Sequence, residues 1–215
     1  EALRRLAGKA VAAEHSAALA AYRHALALEP PDEARVHNNI GGVHSGLGNH
    51  PLELEYYEKA LALRLKALGE EHPDVANSYS NIGFIHSRRG AYPLAVEYYE
   101  KALAIRLKAL GAEHPDVANS YNNIGMVHKD LGDYPLALEF YEKCLSIGLK
   151  ALGEEHPHVA VIYGNIGVVH DSLGNYPRGL ESKKRSLTIS LKRLGEEHPS
   201  VANSYNNIGF SYDML

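Results

Sequence analysis

Polar and apolar positions along the chain follow a pattern that returns every 42 residues. It is sharpest in Ser120-Tyr121-Asn122-Asn123-Ile124-Gly125-Met126-Val127-His128. Copies stand at His37-Asn38-Asn39-Ile40-Gly41, Tyr79-Ser80-Asn81-Ile82-Gly83, Tyr163-Gly164-Asn165-Ile166-Gly167 and Tyr205-Asn206-Asn207-Ile208-Gly209. At helical spacing, Asn119, Asn123, Met126 and Asp130 share one face, while Tyr121, Ile124, Gly125 and His128 lie on the packing side. The pattern predicts a helix opening at Pro73, Pro115, Pro157 or Pro199, where the missing proline N–H costs nothing. Asp74 or Asp116, next to the proline, suits the positive end of the helix dipole. A glycine-centred turn, as in Leu131-Gly132-Asp133-Tyr134-Pro135, leads to a second helix. That helix runs to Leu68-Gly69, Leu110-Gly111, Leu152-Gly153 or Leu194-Gly195, with the glycine as its C-terminal cap.

Each period is thus a helix hairpin, and its repetition predicts an all-α solenoid. Residues 1–215 read as a single repeat domain with units 1–30, 31–72, 73–114, 115–156 and 157–198 and a half unit 199–215. Residues 1–30 are a shorter unit, with Leu19, Tyr22, Ala25, Leu26 and Leu28 at helical spacing and a stop at Pro30-Pro31. Later units add Arg64-Leu65-Lys66-Ala67-Leu68-Gly69-Glu70 or its equivalent, about two helical turns. Leu107, Leu110, Leu149 and Leu152 in these extensions are expected to bury against the next unit. Tyr205, Ile208, Phe210, Tyr212 and Leu215 make the final first helix apolar, and Leu3, Leu6 and Leu19 offer a different apolar surface at the other end. Heterologous end-to-end self-association is therefore expected.

Composition narrows the function. With 45% apolar residues and a formal net charge of -4, the chain has material for a core but no basic stripe, which argues against nucleic acid as a partner. No apolar run approaches the roughly 20 residues that span a bilayer, so no membrane partner is expected. Glu1 resembles neither a signal peptide nor an initiator, and the lone Cys144 fits a reducing compartment. A soluble, cytoplasmic fragment of a longer array is the expectation.

The 13 histidines fall mostly into two slots: His44, His86, His128 and His170 inside first helices, and His72, His114, His156 and His198 before the prolines. Copies one repeat apart sit at the ~10 Å spacing of packed helices, whereas zinc needs ligands about 2 Å from one ion. No metal and no cofactor is expected. No glycine-rich phosphate loop or G-x-S-x-G motif occurs, and the Glu-Glu-His-Pro strings repeat as structural turns do. Cys144 stands where Ala60 and Ala102 do, as a small packing residue with no visible activator. The chain reads as a non-enzyme without catalytic residues.

Ile82-Gly83, His86, Gly90, Tyr92, Ala95, Tyr99 and Ala102 follow the spacing of the tetratricopeptide signature, with small residues where two helices touch and large ones between them. The 42-residue form carries His-Pro-Asp-Val-Ala before the first helix and Ala-Leu-x-Ile-x-x-Lys-x-Leu-Gly at the end of the second. It resembles the repeats of kinesin light chains, closely over residues 31–215 and as a 34-residue-type repeat over residues 1–30. The resemblance implies a right-handed α-solenoid of antiparallel helix hairpins, a tetratricopeptide-like superhelix whose first helices line the concave side.

The exposed ladder is then Asn39, Asn81, Asn123, Asn165 and Asn207, flanked by Asn38, Asn122 and Asn206 and by Asn77, Asn119 and Asn203. An amide side chain has two donors and an acceptor oxygen with two lone pairs, which suits the alternating C=O and N–H groups of an extended peptide. Phe84, Met126, Val168 and Phe210 form an apolar strip beside it, and Arg35, Arg88 and Lys129 stand against Asp130, Asp171 and Asp213. The expected function is a protein–protein interaction scaffold with an extended peptide segment in this concave groove. A second reading stays open: the amides bond adjacent helices, Phe84 and Met126 pack between units, and the chain is a structural spacer or self-assembling array with no groove ligand. A chaperone adaptor for acidic tails is disfavoured, because the asparagine slot holds no Lys or Arg.

Two positions break the pattern. Lys183 stands where Tyr57, Tyr99 and Tyr141 do, and Lys184, Arg185, Arg178, Lys192 and Arg193 make the fourth second helix basic. A lysine there is expected to snorkel to solvent, or else to mark a convex site for an acidic partner. Glu53 occupies the small-residue slot of Ala95 and Ala137 without a sequence rationale.

Overall fold

The computed structural model describes residues 15–22 and 33–214. Leu3, Leu6, Ala25, Leu26, Leu28, Pro30-Pro31 and Leu215, which carried expectations above, lie outside the described residues. Residues 15–22 are helical, and they are followed by α1 (Glu33–Gly46), α2 (His50–Leu68), α3 (Pro73–Arg88), α4 (Tyr92–Leu110), α5 (Pro115–Asp130), α6 (Tyr134–Leu152), α7 (Pro157–Ser172), α8 (Tyr176–Leu194) and α9 (Pro199–Asp213). The described residues contain no strand. The chain divides into two compact units, residues 1–105 and 106–215, with the boundary inside α4. In the first unit α1 packs on α2 and α2 on α3; in the second the packing runs α5 on α6, α6 on α7, α7 on α8 and α8 on α9. Each unit is a succession of helix hairpins, the all-α solenoid fold that the period predicts.

Local chemistry explains the helix ends. In α3, α5 and α7 proline opens the helix and the preceding histidine caps it. Nδ1 of His72, His114 and His156 accepts from the backbone N–H of Asp74, Asp116 and His158 at 3.1, 3.1 and 3.2 Å. One orphan donor per helix is satisfied in this way, and the ring proton is left on Nε2. The histidine slot before the proline is therefore a cap as well as a turn. At the other end, Gly69, Gly153 and Gly195 combine φ of 81 to 84° with ψ of 161 to 168°, a region essentially confined to glycine, and their N–H groups bond back to Leu65, Leu149 and Leu191.

Close approach of the two helices in a hairpin depends on the Ile-Gly step. A Cβ on Gly83 would lie 3.1 Å from the Tyr99 ring and 3.3 Å from the Ala95 carbonyl oxygen; on Gly125 it would lie 3.0 Å from Tyr141 and 3.3 Å from the Ala137 oxygen. The tyrosine ring thus rests on bare helix backbone. Ile82, Ile124, Ala95, Ala137 and Tyr141 are fully buried around these contacts, and burial pushes the Tyr99 and Tyr141 hydroxyls well above the ordinary tyrosine range.

The seven-residue extension is held in two ways. Leu149 packs on the cluster of Val159, Ala160, Tyr163 and Ile189 in the next repeat. Leu152, expected to bury in the same way, is exposed: it is the last residue of α6 and the chain turns at Gly153 directly after it. Polar contacts supply the rest. Arg64 donates to Ser78 Oγ at 2.7 Å and to the Asp74 carbonyl at 3.3 Å, and buried Arg106 donates to Ser120 Oγ at 2.7 Å. One repeat further on, both partners change together to Gly148 and Ile162, and the isoleucine methyl lies 3.5 Å from where a Gly148 Cβ would be.

Candidate functional site

In the first unit, α1 and α3 carry Asn39, Asn77, Asn81, Phe84 and Arg88 toward one side. Asn81 Nδ2 donates to Asn38 Oδ1 at 2.8 Å, and Asn77 bonds Asp74 within its own helix at 3.4 Å. Phe84 is 48% exposed, with the Arg88 guanidinium 5.6 Å from its ring centre. Arg35 is exposed.

In the second unit the same positions lie on α5, α7 and α9. Asn165 Nδ2 donates to Asn122 Oδ1 at 3.2 Å, Asn122 also reaches Met126 Sδ at 3.5 Å, and Asn119 bonds Asp116 at 3.5 Å. Met126 and Phe210 are exposed, and Lys129 pairs with Asp130 at 3.0 Å. Val168, Phe210 and Asn207 line a pocket of about 220 Å³ whose floor is Asp171 and Lys183. Phe84 and Met126 each leave two-fifths or more of their surface open to solvent. Val161, unnoticed in the sequence, stands in the slot of Asn77 and Asn119 and is 56% exposed; its slot was the available signal.

The ladder therefore has two kinds of rung. Asn81 and Asn165 are tied to the asparagine 43 positions earlier. The side chains of Asn39, Asn123 and Asn207 make no hydrogen bond to a described residue, so their amides are open. A partner capable of tying is missing for Asn207, because Gly164 stands where Asn38 and Asn122 do.

Both pattern-breaking residues are buried. Glu53 is 1% exposed, with Oε2 bonded to His50 Nδ1 at 3.0 Å and 3.8 Å from Arg88. Arg88 also bonds Ser45 at 3.1 Å, so an acid in the small-residue slot is matched by bases from two other positions. Lys183 corrects the expectation of a snorkelling lysine or a convex docking cation. It is 3% exposed and its Nζ donates to the Asp171 carboxylate, to the Asn207 carbonyl at 2.8 Å and to Ser211 Oγ at 2.9 Å. Ser211 in turn donates to Asp171 at 2.8 Å. Desolvating an ammonium is tolerable only with this number of partners. The neighbouring glycines make the space: a Cβ on Gly179 would lie 1.9 Å from Asp171 Oδ1, and one on Gly167 would lie 2.6 Å from Lys183 Cγ.

The other bases of α8 are exposed. Lys192 and Arg193 pair with Glu155, and Arg185 pairs with Glu181 at 2.9 Å. Cys144 is buried, its thiol pushed up to about 12 by desolvation, which keeps it in the unreactive thiol form. No helix among the described residues is long and apolar enough to cross a membrane.

Comparison with known proteins agrees with this architecture. A tetratricopeptide repeat model matches residues 32–108, 76–148 and 116–178, and a second tetratricopeptide repeat model matches residues 159–200. Among solved structures, BtubC (BKLC) from P. vanneervenii is similar at 25% identity and a TM-score of 0.79, with 94% of this chain and 82% of that one covered. The nearly identical TPR-like repeats of a Podosopora anserina protein described as kinesin light chain-like are similar at 25% identity and a TM-score of 0.73, covering 87% and 89% of the two chains. No curated protein sequence matches significantly. The chain belongs to the tetratricopeptide repeat family, with repeats of the kinesin light chain-like kind.

Proposed function

We propose that the asparagine-bearing sides of the first helices bind an extended peptide segment of a partner protein. Tetratricopeptide repeats are generally protein–protein interaction scaffolds and typically non-catalytic, so the question is which surface serves. The observation that carries this reading is the juxtaposition of open amides with exposed apolar side chains: Asn39 in the first unit with Phe84, and Asn123 and Asn207 in the second with Met126 and Phe210. The amides would hold peptide backbone, and Phe84, Met126, Arg88 and Lys129 would choose side chains. Each amide contact is worth roughly 0.5 to 1.5 kcal/mol net, so a few of them with apolar burial amount to about -8 kcal/mol, a micromolar affinity. A cytoplasmic setting accords with the unpaired, buried Cys144.

A second reading has its own observation. The bonds from Asn81 to Asn38 and from Asn165 to Asn122 show that part of the ladder ties neighbouring first helices together, as a spacer would require. Peptide display against the whole chain separates the two readings. Selected peptides should bind the native chain and lose binding to a Phe84→Glu, Met126→Glu variant. Selection of nothing, or of peptides that bind both forms equally, would leave the spacer reading standing.

A further inference from the structure

On the side of the second unit formed by α6 and α8, one aromatic ring is missing from an otherwise regular arrangement. In the three preceding repeats the second helix sends a ring between two residues of its first helix. Tyr56 stacks on His44 and lies against His37, Tyr98 stacks on His86 and lies against Tyr79, and Phe140 stacks on His128 and lies against Tyr121. The stacked centroids are 5.4 to 5.6 Å apart, at interplanar angles of 8 to 18°. A lysine ammonium caps each ring at 5.0 to 5.2 Å, from Lys59, Lys101 and Lys143.

The fourth repeat keeps the setting and loses the ring. Tyr163 and His170 hold the two flanking slots and Arg185 holds the capping slot, its guanidinium 5.6 Å from the Tyr163 ring centre. The ring position itself is Ser182. In its place is an open pocket of about 240 Å³ lined by Tyr163, Ile166, His170 and Ser182, with Arg178, Arg185, Glu142 and Glu181 also in its lining. Tyr163 and His170 are each more than nine-tenths buried, and His170 Nδ1 has no hydrogen-bond partner.

We propose that this pocket receives an aromatic side chain, phenylalanine or tyrosine, from a partner polypeptide, which completes the stack that Tyr56, Tyr98 and Phe140 complete within the chain. The chain's own repeats show what such a site holds: a ring between His170 and Tyr163, beneath the Arg185 cation. Charge names the flank. Glu181 is already paired with Arg185, whereas Arg178, which replaces Leu52, Leu94 and Leu136, is exposed and makes no ion pair with a described residue. An acidic residue next to the aromatic one would pair with it. This site lies on the packing side of α7, on a different face from Asn165, so it stands or falls independently of the peptide reading above.

Amide chemical shifts of the whole chain, titrated with the capped peptide Gly-Asp-Phe-Asp-Gly and with its Phe→Ala counterpart, test the proposal. The expected result is saturable shifts at Tyr163, His170 and Ser182, with the alanine peptide about tenfold weaker. Ser182→Phe, which refills the pocket from within, should abolish those shifts and raise the melting temperature. Arg178→Asp, at an exposed site, should weaken the phenylalanine peptide several-fold without altering stability. Equal binding of the two peptides, or no binding, overturns the proposal, as does unchanged binding to the Ser182→Phe chain. Concentration-dependent shifts at the same amides without peptide, lost in Ser182→Phe, would make a second copy of the chain the occupant and overturn the separate-partner reading.

Discussion

The α5–α6 hairpin and the α7–α8 hairpin occupy the same slots of the same repeat and hold themselves together by opposite means. In the first, Gly125, Ala137 and Tyr141 close an aromatic contact on bare backbone, and no acidic or basic side chain of the two helices is buried. In the second, Gly167, Gly179 and Lys183 close a buried ion pair with Asp171, shared with Ser211 of α9 in a slot held by Val127 and Val169 in earlier repeats. One geometry thus accepts either an apolar or a charged filling, provided that all the residues touching it change together. The lysine alone would be an error; with Asp171 Oδ2, Ser211 Oγ and the Asn207 carbonyl its ammonium has three acceptors, while Asp171 Oδ1, which faces Gly179, has no partner.

The largest effect should come from breaking that network on one side. Lys183→Met leaves Asp171 buried without its counter-ion and should cost about 3 to 5 kcal/mol, read as a lower denaturant midpoint. Moving the whole site toward its neighbour's chemistry, with Asp171→Ser, Lys183→Tyr and Ser211→Val together, should recover that loss. Failure of the triple variant to exceed the single one would mean that the two hairpins are not interchangeable solutions.

A smaller effect separates the joints between repeats. Ser120→Ala removes the hydroxyl that receives buried Arg106 and should cost about 1 to 3 kcal/mol. The Gly148 and Ile162 joint has no such bond, so Ile162→Ser should destabilise it by lost packing. Opposite signs at either site would contradict the pairing of these positions.

The smallest effect is on pH dependence. Burial holds His86 and His170 below the ordinary imidazole range, helped by Arg89 and Arg178 respectively. The unfolded chain therefore binds more protons than the folded one just below about pH 6.5, so stability is complete above that value and lost as pH falls through it. Melting temperature should decline modestly between about pH 7 and about pH 5.5, and less steeply in His86→Gln. A decline of equal slope in the variant would remove His86 from the account.

Much of this was legible in the chain. The prolines at 73, 115, 157 and 199, the cap glycines and the alternation of packed and open faces all follow from local rules acting within one repeat. What escaped depends on side chains that belong to different slots. Lys183 meets Asp171 and Ser211, which stand 12 and 28 positions away, so no single departure from the period announces the pair. Glu53 is answered by His50 and Arg88 for the same reason. The asparagine bonds run at an offset of 43, one residue off the period, and alignment by equal slots conceals them. The helical pattern placed Asn123 and Asn165 on one face, but only their surroundings distinguish an open amide from a tied one.

That distinction gives the most direct test of peptide binding by the first helices. Affinity for a display-selected peptide and melting temperature are to be measured together for the native chain, Asn123→Ala and Asn165→Ala. Asn123→Ala should weaken binding by up to about tenfold with an unchanged melting temperature, whereas Asn165→Ala, which also cuts the bond to Asn122, should lower both. Unchanged affinity in both variants, with stability lost in Asn165→Ala, would contradict this expectation and make the ladder purely structural.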